Sequence, residues 1–262
     1  MTHVTELNGR PATPEELRAL ALTNYGHFTT LRVEDGRVRG LDLHLRRLAQ
    51  DCATVFGVPL DTDLTRTRIR RAVGGRPGPV MARVTVFDPA LDIGRPAAPG
   101  TPHVLVTTRP AGALPAPPLR LRSTAYVRDL PAVKHTGLFG ALHARRAAQL
   151  AGYDDALFHG PDDHVSEGPT WNIGFVDHTG TVVWPAAPVL PGVTMTLLQR
   201  HHAHTTAPIP LPAAHRMRAA FATGTGIGVR AIAALDDNPL APDDPALTTL
   251  RTTHHAIPQD PL

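Results

Sequence analysis

"DLPAVKHTGLFG" (residues 129–140) contains Lys134, the only lysine of the chain. Lysine and arginine together number 26, so arginine fills the other 25 positions. Arginine stays protonated in proteins, whereas a lysine amine can lose its proton and attack a carbonyl carbon. Lys134 is therefore a candidate for Schiff-base chemistry, which requires a primary amine. The alternative is a solvated surface lysine without a role, and the composition alone leaves both interpretations open.

The sequence around Lys134 predicts a strand before it and a helix after it. These elements are "LRLRSTAYVRD" (119–129) and "LFGALHARRAAQLAG" (138–152), and a side chain at such a junction can point into a cleft. The elements predicted further along are a hairpin of "DALFHG" (155–160) and "WNIGFVD" (171–177), a helix from Gly192, a strand "FATGTGIGVRAIAALD" (221–236) and a terminal helix. The tail "TTHHAIPQDPL" (252–262) is expected to fray.

The N-terminal half predicts a smaller α/β domain. "HFTTLRVEDGRVRGLD" (27–42) has the pattern of a hairpin with Asp-Gly at its bend. In "LDLHLRRLAQDCATVFG" (41–57) apolar residues recur at spacings of three and four, which predicts a helix that ends at Gly57. "VMARVTVFD" (80–88) and "HVLVTTR" (103–109) are predicted strands of the same sheet.

A Pro-rich segment predicts the boundary between two domains. "AGALPAPP" (111–118) cannot hold a regular element, because proline removes a backbone donor and restricts the residue before it. We therefore expect a small N-terminal domain over 1–112, a linker over 113–118 and a larger domain over 119–262. A chain of 262 residues is long enough for two such cores.

Composition excludes several classes of protein. The single cysteine, Cys52, rules out an intramolecular disulfide framework, and the start "MTHVTELNG" carries no apolar signal segment, so a cytoplasmic location is the default expectation. The formal charge is +3, and the arginines are scattered among 23 acidic residues without a basic block, so nucleic acid is not an expected partner. No apolar run approaches the roughly 18 residues of a membrane helix, so no membrane partner is expected.

Three features of the larger domain could carry chemistry besides Lys134. Glu167 follows a strand-like "HVS" and precedes Gly-Pro, although a surface carboxylate in a hairpin is the simpler alternative. In "LPGVTMTLLQRHH" (190–202) a Pro-Gly turn opens a helix at Val193 and Thr194, which gives free N–H groups and a hydroxyl suited to a phosphate. Many helices begin this way without a ligand. The third feature is the glycine-rich "ATGTGIGVR" (222–230).

Two other interpretations are rejected. The glycine-rich stretch does not give GxGxxG, so a dinucleotide loop is not predicted, but a close backbone approach to a ligand near Thr225 stays possible. The paired histidines His201-His202 and His254-His255 invite a metal assignment. Adjacent histidines on a helix point about 100° apart and no HExxH motif is present, so no metal site is predicted.

Taken together and in order, these motifs resemble the class IV (fold type IV) pyridoxal-phosphate enzymes. That family includes branched-chain aminotransferases, D-amino-acid transaminases and aminodeoxychorismate lyases. The resemblance runs from "GHFTTLRVEDGRVRGLDLHLRRL" (26–48), with its HxxRL helix, to "TGTGIGV" (223–229). It implies a two-domain α/β fold, with a small α+β N-terminal domain, a larger pseudo-barrel C-terminal domain and the cofactor in the cleft between them.

The resemblance also implies a role for each candidate residue. Lys134 matches the Schiff-base lysine, which binds the cofactor and then shuttles a proton between the substrate Cα and C4′ of the cofactor. Glu167 in "VSEGPTWN" matches the glutamate that keeps the pyridine nitrogen protonated. The residues that match the phosphate-binding positions are Arg47, Val193, Thr194 and Thr225.

The resemblance says less about the substrate and the reaction than about the cofactor site. Phe28 matches an aromatic position facing the cofactor, and Thr29 stands where transaminases commonly have glutamate. The basic RGxGxRGY-like segment that can hold a substrate carboxylate is replaced by "VTVFDPALDIGRP" (84–96). Phe139 replaces the tyrosine of branched-chain enzymes.

These departures leave more than one reaction open. We expect an aminotransferase that moves an amino group between an amino acid and a 2-oxo acid. A lyase that releases pyruvate and 4-aminobenzoate, favoured by Thr29 and by His135 after the lysine, is one alternative, and an inactive homologue is another. The resemblance further implies a homodimer in which the partner chain completes each site.

Overall fold

The chain folds into two compact units in the computed structural model, which describes residues 4–75 and 78–262. The first unit contains the residues up to Gly112, the segment Val133–Gly137 and the C-terminal Pro258–Leu262. The second unit contains Ala113–Ala132 and Leu138–Ile257. Lys134 therefore belongs to the first unit. Residues 1–3 and 76–77 of the predicted small domain lie outside the described residues.

The helices and strands follow one another in this order: β1 (Thr5–Leu7), β2 (Arg10–Pro11), α1 (Pro14–Thr23), β3 (Gly26–Glu34), β4 (Arg37–Arg39), α2 (Leu41–Phe56), α3 (Thr62–Val73), β5 (Val80–Phe87), β6 (His103–Pro110), β7 (Leu119–Ala125), α4 (Phe139–Leu150), β8 (Asp155–His159), β9 (Asn172–Val176), β10 (Val182–Pro185), α5 (Val193–His201), β11 (Thr205–Ala207), α6 (Leu211–Ala214), β12 (Ala219–Gly224), β13 (Gly228–Leu235), β14 (Asn238–Pro239), α7 (Pro245–Ala256) and β15 (Gln259–Pro261).

A seven-stranded antiparallel sheet forms the centre of the first unit, in the order β15-β4-β3-β5-β6-β1-β2. The predicted hairpin is confirmed as β3 and β4, and its bend residues Asp35 and Gly36 both have positive φ, 50° and 71°. Glycine adopts such a conformation without a Cβ clash, and aspartate tolerates it better than most residues.

Helix α2 forms where the apolar spacing predicts it. It is bounded by Gly40 and Gly57, each with φ of 69°, and its buried stripe packs against the sheet. That stripe also contains polar residues; its buried members are Leu41, His44, Arg47, Leu48, Asp51 and Cys52. A helix with polar groups on its buried face must give each of them a partner or a function.

The tail 252–262 that we expected to fray is instead ordered: its first residues complete α7 in the second unit, and Pro258–Leu262 belong to the first unit. Strand β15 pairs with β4, and Asp260 Oδ2 accepts the backbone N–H of Leu41 over 3.2 Å. Arg70 Nε donates to the carbonyl oxygen of Leu262 over 2.6 Å. Because these partners lie far away in sequence, the local composition of the tail could not show them.

The second unit is built on an eight-stranded mixed sheet, in the order β11-β10-β9-β12-β13-β7-β8 with β14 paired to β13. Strand β7 runs parallel to both β8 and β13. The predicted hairpin of β8 with β9 is wrong, because β8 lies at the sheet edge and β9 lies between β10 and β12. The residues between β8 and β9 form turns of their own, including the one that holds Glu167.

The predicted single strand over 221–236 is also wrong. It contains the end of β12, a turn, and β13, which form an antiparallel hairpin. Thr225 therefore lies in a turn rather than in a strand. Within the described ranges no helix combines the length and the apolar character that a membrane span requires.

Candidate active site

Lys134 is fixed beside strand β3 by backbone hydrogen bonds. The N–H of Phe28 donates to the carbonyl oxygen of Lys134 over 2.8 Å, and the N–H of Thr136 donates to that of Gly26 over 2.9 Å. The segment thereby extends the edge of β3, and the half-buried Lys134 side chain passes over the Phe28 ring. Its Nζ lies 4.8 Å from the ring centroid. The two candidate residues Phe28 and Lys134 are therefore brought together.

A buried carboxylate that the sequence analysis missed holds the backbone of Lys134. Asp51 Oδ2 accepts the N–H of Lys134 over 3.1 Å, and the Asp51 residue is 3% exposed. Asp51 follows Arg47 by one helical turn on α2. Burial lowers the pKa of Arg47 to about 10, while the negative charge of Asp51 opposes that shift. The signal in the sequence that could have revealed Asp51 is its position as an acidic residue on the apolar stripe of a predicted helix.

Arg47 and His44 share the hydroxyl group of Thr29. Arg47 Nη2 donates to Thr29 Oγ1, and His44 Nδ1 lies 2.7 Å from the same oxygen. Because a guanidinium can only donate, Thr29 Oγ1 accepts from Arg47, and the same hydroxyl can either donate to His44 Nδ1 or accept from it. Burial, with the positive charges of Arg47 and Lys134, lowers the pKa of His44 well below its usual value. His44 is therefore neutral.

Two nitrogen atoms of this cluster are buried without a hydrogen-bond partner. Arg47 Nε and His44 Nε2 have no hydrogen-bond partner among the described residues. A buried donor that lacks an acceptor costs about 1–3 kcal/mol, so such groups call for a ligand. An anion such as a phosphate satisfies the Arg47 Nε donor and balances the guanidinium charge. The residues of the first unit thus fit a phosphorylated cofactor.

Arg83 is a second cation beside Phe28 that the sequence analysis missed. Its guanidinium carbon lies 3.6 Å from the ring centroid, and its Nε donates to Thr85 Oγ1 over 3.3 Å. Desolvation lowers the pKa of Arg83. Within the described part of the chain no carboxylate lies at ion-pair distance from it. Arg83 lies one residue before the stretch 84–96, where the resemblance places the basic residues that can hold a substrate carboxylate.

In the second unit, both carboxylate oxygens of Glu167 are held. Oε1 lies 3.1 Å from Arg128 Nη1, and the two side chains are 5% and 8% exposed. Oε2 accepts from Asn172 Nδ2 over 3.4 Å and from the N–H of Leu190 over 3.3 Å. Glu167 is therefore a buried, oriented acid and not the exposed hairpin carboxylate of the simpler alternative.

Asn172 connects Glu167 to the turn before α5. Its Nδ2 also donates to the carbonyl oxygen of Leu190 over 2.8 Å. A Cβ on Gly192 would lie 2.0 Å from Asn172 Oδ1, so this turn requires glycine. Helix α5 then begins at Val193 and Thr194, both buried, and no side chain caps its first turn. The free N–H groups of this turn suit an anion.

Thr225 lies in the turn between β12 and β13, half-buried, and hydrogen-bonds to none of these residues. Thr223, two positions before it, pairs with Asn172 in the neighbouring strand. Elsewhere among the described residues, no group of three or more His, Cys, Asp and Glu side chains could hold a metal ion.

Comparison with known proteins assigns the chain to a family. The family model for amino-transferase class IV matches residues 26–235, which span both units and every candidate site residue. The chain belongs to this family. This match confirms the predicted resemblance to class IV pyridoxal-phosphate enzymes. It also confirms the predicted enzyme class, an aminotransferase that uses pyridoxal 5′-phosphate. A comparison with curated proteins finds no match.

Solved structures of class IV aminotransferases share the fold. A branched-chain aminotransferase from Thermoproteus uzoniensis with norvaline is 20% identical, with a TM-score of 0.85 over 97% of this chain and 94% of that one. A fold IV-transaminase from Curtobacterium pusillum is 23% identical, with a TM-score of 0.76 over 90% and 88%. A hypothetical aminotransferase from Mycobacterium tuberculosis, in its PLP-bound form, is 18% identical, with a TM-score of 0.81 over 98% of both chains. The predicted α/β fold of type IV is thereby confirmed.

Proposed function

We propose that this class IV aminotransferase moves an amino group between an amino acid and a 2-oxo acid, with Lys134 as the residue that bonds covalently to pyridoxal 5′-phosphate. The observation that carries the proposal is the cluster of the first unit, where the sole lysine lies beside Phe28 and two buried nitrogen atoms, one of them the Arg47 Nε donor, lack a partner. When bound, the cofactor supplies a ring that withdraws electrons from the substrate Cα.

Each residue has a separate task in this proposal. The amine of Lys134 would hold the cofactor aldehyde and, once released, would move the proton at the substrate Cα. The carboxylate of Glu167 would hold the proton of the ring nitrogen in place. The phosphate would be held by the donors of Arg47, by the first turn of α5 with Val193 and Thr194, and by the hydroxyl of Thr225.

Arg83 and Phe28 would select the substrate. A guanidinium that is half-buried and lacks a carboxylate partner among the described residues can bind the carboxylate of an amino acid. The Phe28 ring, in contact with both Arg83 and Lys134, forms a wall of the substrate pocket. Arg83 thus supplies the carboxylate recognition that the sequence appeared to lack.

The assembly and location of the protein are part of the same proposal. On α4, Phe139 is 83% exposed, Leu142 47% and Leu150 72%, and this apolar face supports a homodimer with a second copy of the chain. A single buried cysteine supports a cytoplasmic location. We also propose 1–112 and 119–262 as the two domains, with 113–118 as linker; within 119–262, the segments Val133–Gly137 and Pro258–Leu262 belong to the first compact unit. Neither nucleic acid nor a membrane is a proposed partner.

Because Lys134 is the only lysine, borohydride trapping tests the central role directly. The protein loaded with cofactor should absorb visible light, and reduction should attach one phosphopyridoxyl group to the peptide that contains Lys134. The variant Lys134→Arg should incorporate none, whereas the surface variant Arg46→Lys, which adds an amine at an exposed position of α2, should still be labelled at Lys134 only. Label on another residue of the unsubstituted protein would refute the assignment.

The reaction is tested by offering single amino acids to the loaded enzyme. We expect at least one to convert the cofactor to the pyridoxamine form, which a 2-oxo acid then restores. If no amino acid does so but aminodeoxychorismate yields pyruvate and 4-aminobenzoate, the protein is the lyase that Thr29 and His135 favour. If neither occurs, it is an inactive homologue.

A further inference from the structure

The buried ion pair of Arg128 and Glu167 carries an inference beyond the assignment of the cofactor site. Arg128 lies in the loop after β7, and its Nη1 contacts Glu167 Oε1 at 3.1 Å and the carbonyl oxygen of Pro131 at 3.4 Å. No sequence motif marks Arg128. Both members of the pair belong to the second unit and are almost fully buried.

The two oxygens of Glu167 have partners of different kinds. Asn172 and the N–H of Leu190 are neutral donors to Oε2, and they fix the direction of the carboxylate. Arg128 brings a full positive charge to Oε1, and a guanidinium keeps its proton in a protein. In a buried site the interaction of such a charge with a carboxylate is stronger than in water. Asn172 therefore orients the Glu167 carboxylate, while Arg128 provides the positive charge beside it.

We propose that Arg128 is a positioning residue that keeps Glu167 ionised, so that the proton shared with the cofactor's ring nitrogen resides on the nitrogen and not on the carboxylate. The proposal rests on the proposed role of Glu167. The proton can reside on either of two groups. In the first arrangement a protonated ring nitrogen faces a carboxylate, and in the second a neutral ring nitrogen faces a carboxylic acid. A fixed cation on Oε1 stabilises the first arrangement, because it makes the carboxylate a weaker base.

The chain offers a matched control for the loss of an ion pair. Arg145 binds Asp155 through two hydrogen bonds of 2.9 and 2.8 Å, and Asp155 in turn accepts from Trp171 Nε1 over 2.8 Å. This pair lies in the second unit but makes no hydrogen bond to Glu167 among the described residues. Substituting Arg145 tests whether any effect at the cofactor comes merely from destabilising the unit.

The test measures the ring nitrogen itself rather than turnover. The enzyme and its variants are loaded with pyridoxal 5′-phosphate labelled with 15N in the ring, and the 15N chemical shift is recorded at one pH. We expect the protonated value in the unsubstituted protein and in Arg128→Lys and Arg145→Met. Glu167→Gln should give the unprotonated value, and Arg128→Met should move the signal by more than half of that difference. Arg128→Gln, which keeps polar donors without the charge, should behave like Arg128→Met.

The outcomes separate the two proposals. If Glu167→Gln shifts the signal and neither neutral variant of Arg128 does, the role of Arg128 is refuted while that of Glu167 stands. If Glu167→Gln leaves the signal unchanged, the role of Glu167 is refuted, and that of Arg128 with it. If Arg128→Met and Arg128→Gln fail to fold, Arg128→Lys provides the test, because it keeps the positive charge. A 15N shift of the unprotonated ring nitrogen in this variant overturns the proposal, and a shift of the protonated nitrogen supports it. An equal shift in Arg145→Met overturns it as well.

Discussion

Removing the Asp51 carboxylate should destabilise the first unit far more than removing another acid from the same helix. In Asp51→Ala the N–H of Lys134 loses a buried charged acceptor at 3.1 Å, and hydrogen bonds to charged groups contribute about 1.5–3 kcal/mol. The buried Arg47 also loses the negative charge that favours its protonated form. We therefore expect a loss of about 2–4 kcal/mol in the free energy of unfolding. Asp51→Asn keeps an acceptor and should lose about half as much.

The control is Asp42→Ala, also on α2. The Asp42 side chain is 59% exposed and pairs with Arg46 at i,i+4, so its removal should cost less than about 1 kcal/mol. Urea unfolding followed by far-UV circular dichroism reports both units, whereas Trp171 and Trp184 report only the second by fluorescence. A loss in Asp51→Ala no larger than that in Asp42→Ala would refute the reasoning.

Three further results are expected. Gly192→Ala places a Cβ 2.0 Å from Asn172 Oδ1, so it should cost about 1–3 kcal/mol of cofactor-binding energy, measurable as a higher Kd for pyridoxal 5′-phosphate; an unchanged Kd contradicts the fit of the turn. Arg83→Gln should raise KM for the amino acid about 10- to 100-fold while the Kd of the cofactor stays constant, since a charge-assisted hydrogen bond is lost. Burial and the charge of Arg47 lower the pKa of His27 to about 4, below its unfolded value of 6.5, so protons bind the unfolded state better. Stability should therefore fall by about 3 kcal/mol as the pH drops from 6.5 to 4, and urea titrations should show a smaller fall in His27→Gln.

Local patterns predicted the elements that depend on nearby residues. The Asp35-Gly36 bend, the apolar stripe of α2 and the strands β5 and β6 all follow from short-range propensity and periodicity. The β12–β13 hairpin was missed because its strands share one run of small and β-branched residues, and only the glycines mark the turn. The strand β15 was missed because its partners lie in β4 and α3.

The candidate site was predictable only where a motif marked it. Lys134 stood out as the sole lysine, and Glu167 stood in a recognisable context. Asp51 and Arg128 had no such mark, because their importance comes from partners 83 and 39 positions away along the chain. A buried acid on a helix or an arginine in a loop is common, and only tertiary packing reveals which one holds a catalytic group. The charged residues that hold the candidate site residues in place are thus harder to predict from sequence than the residues that belong to a motif.

The unsatisfied nitrogen atoms of the first unit have an energetic consequence for ligand binding. In the protein alone Arg47 Nε and His44 Nε2 are buried without partners, so part of the cost of desolvating them is not recovered on folding. An anion that accepts from Arg47 Nε recovers part of this energy, and it does so only in the folded state. By linkage, such an anion stabilises the fold by an amount that rises with its concentration. The same burial that makes the cluster costly in the free protein therefore favours the binding of an anion beside the Arg47 guanidinium.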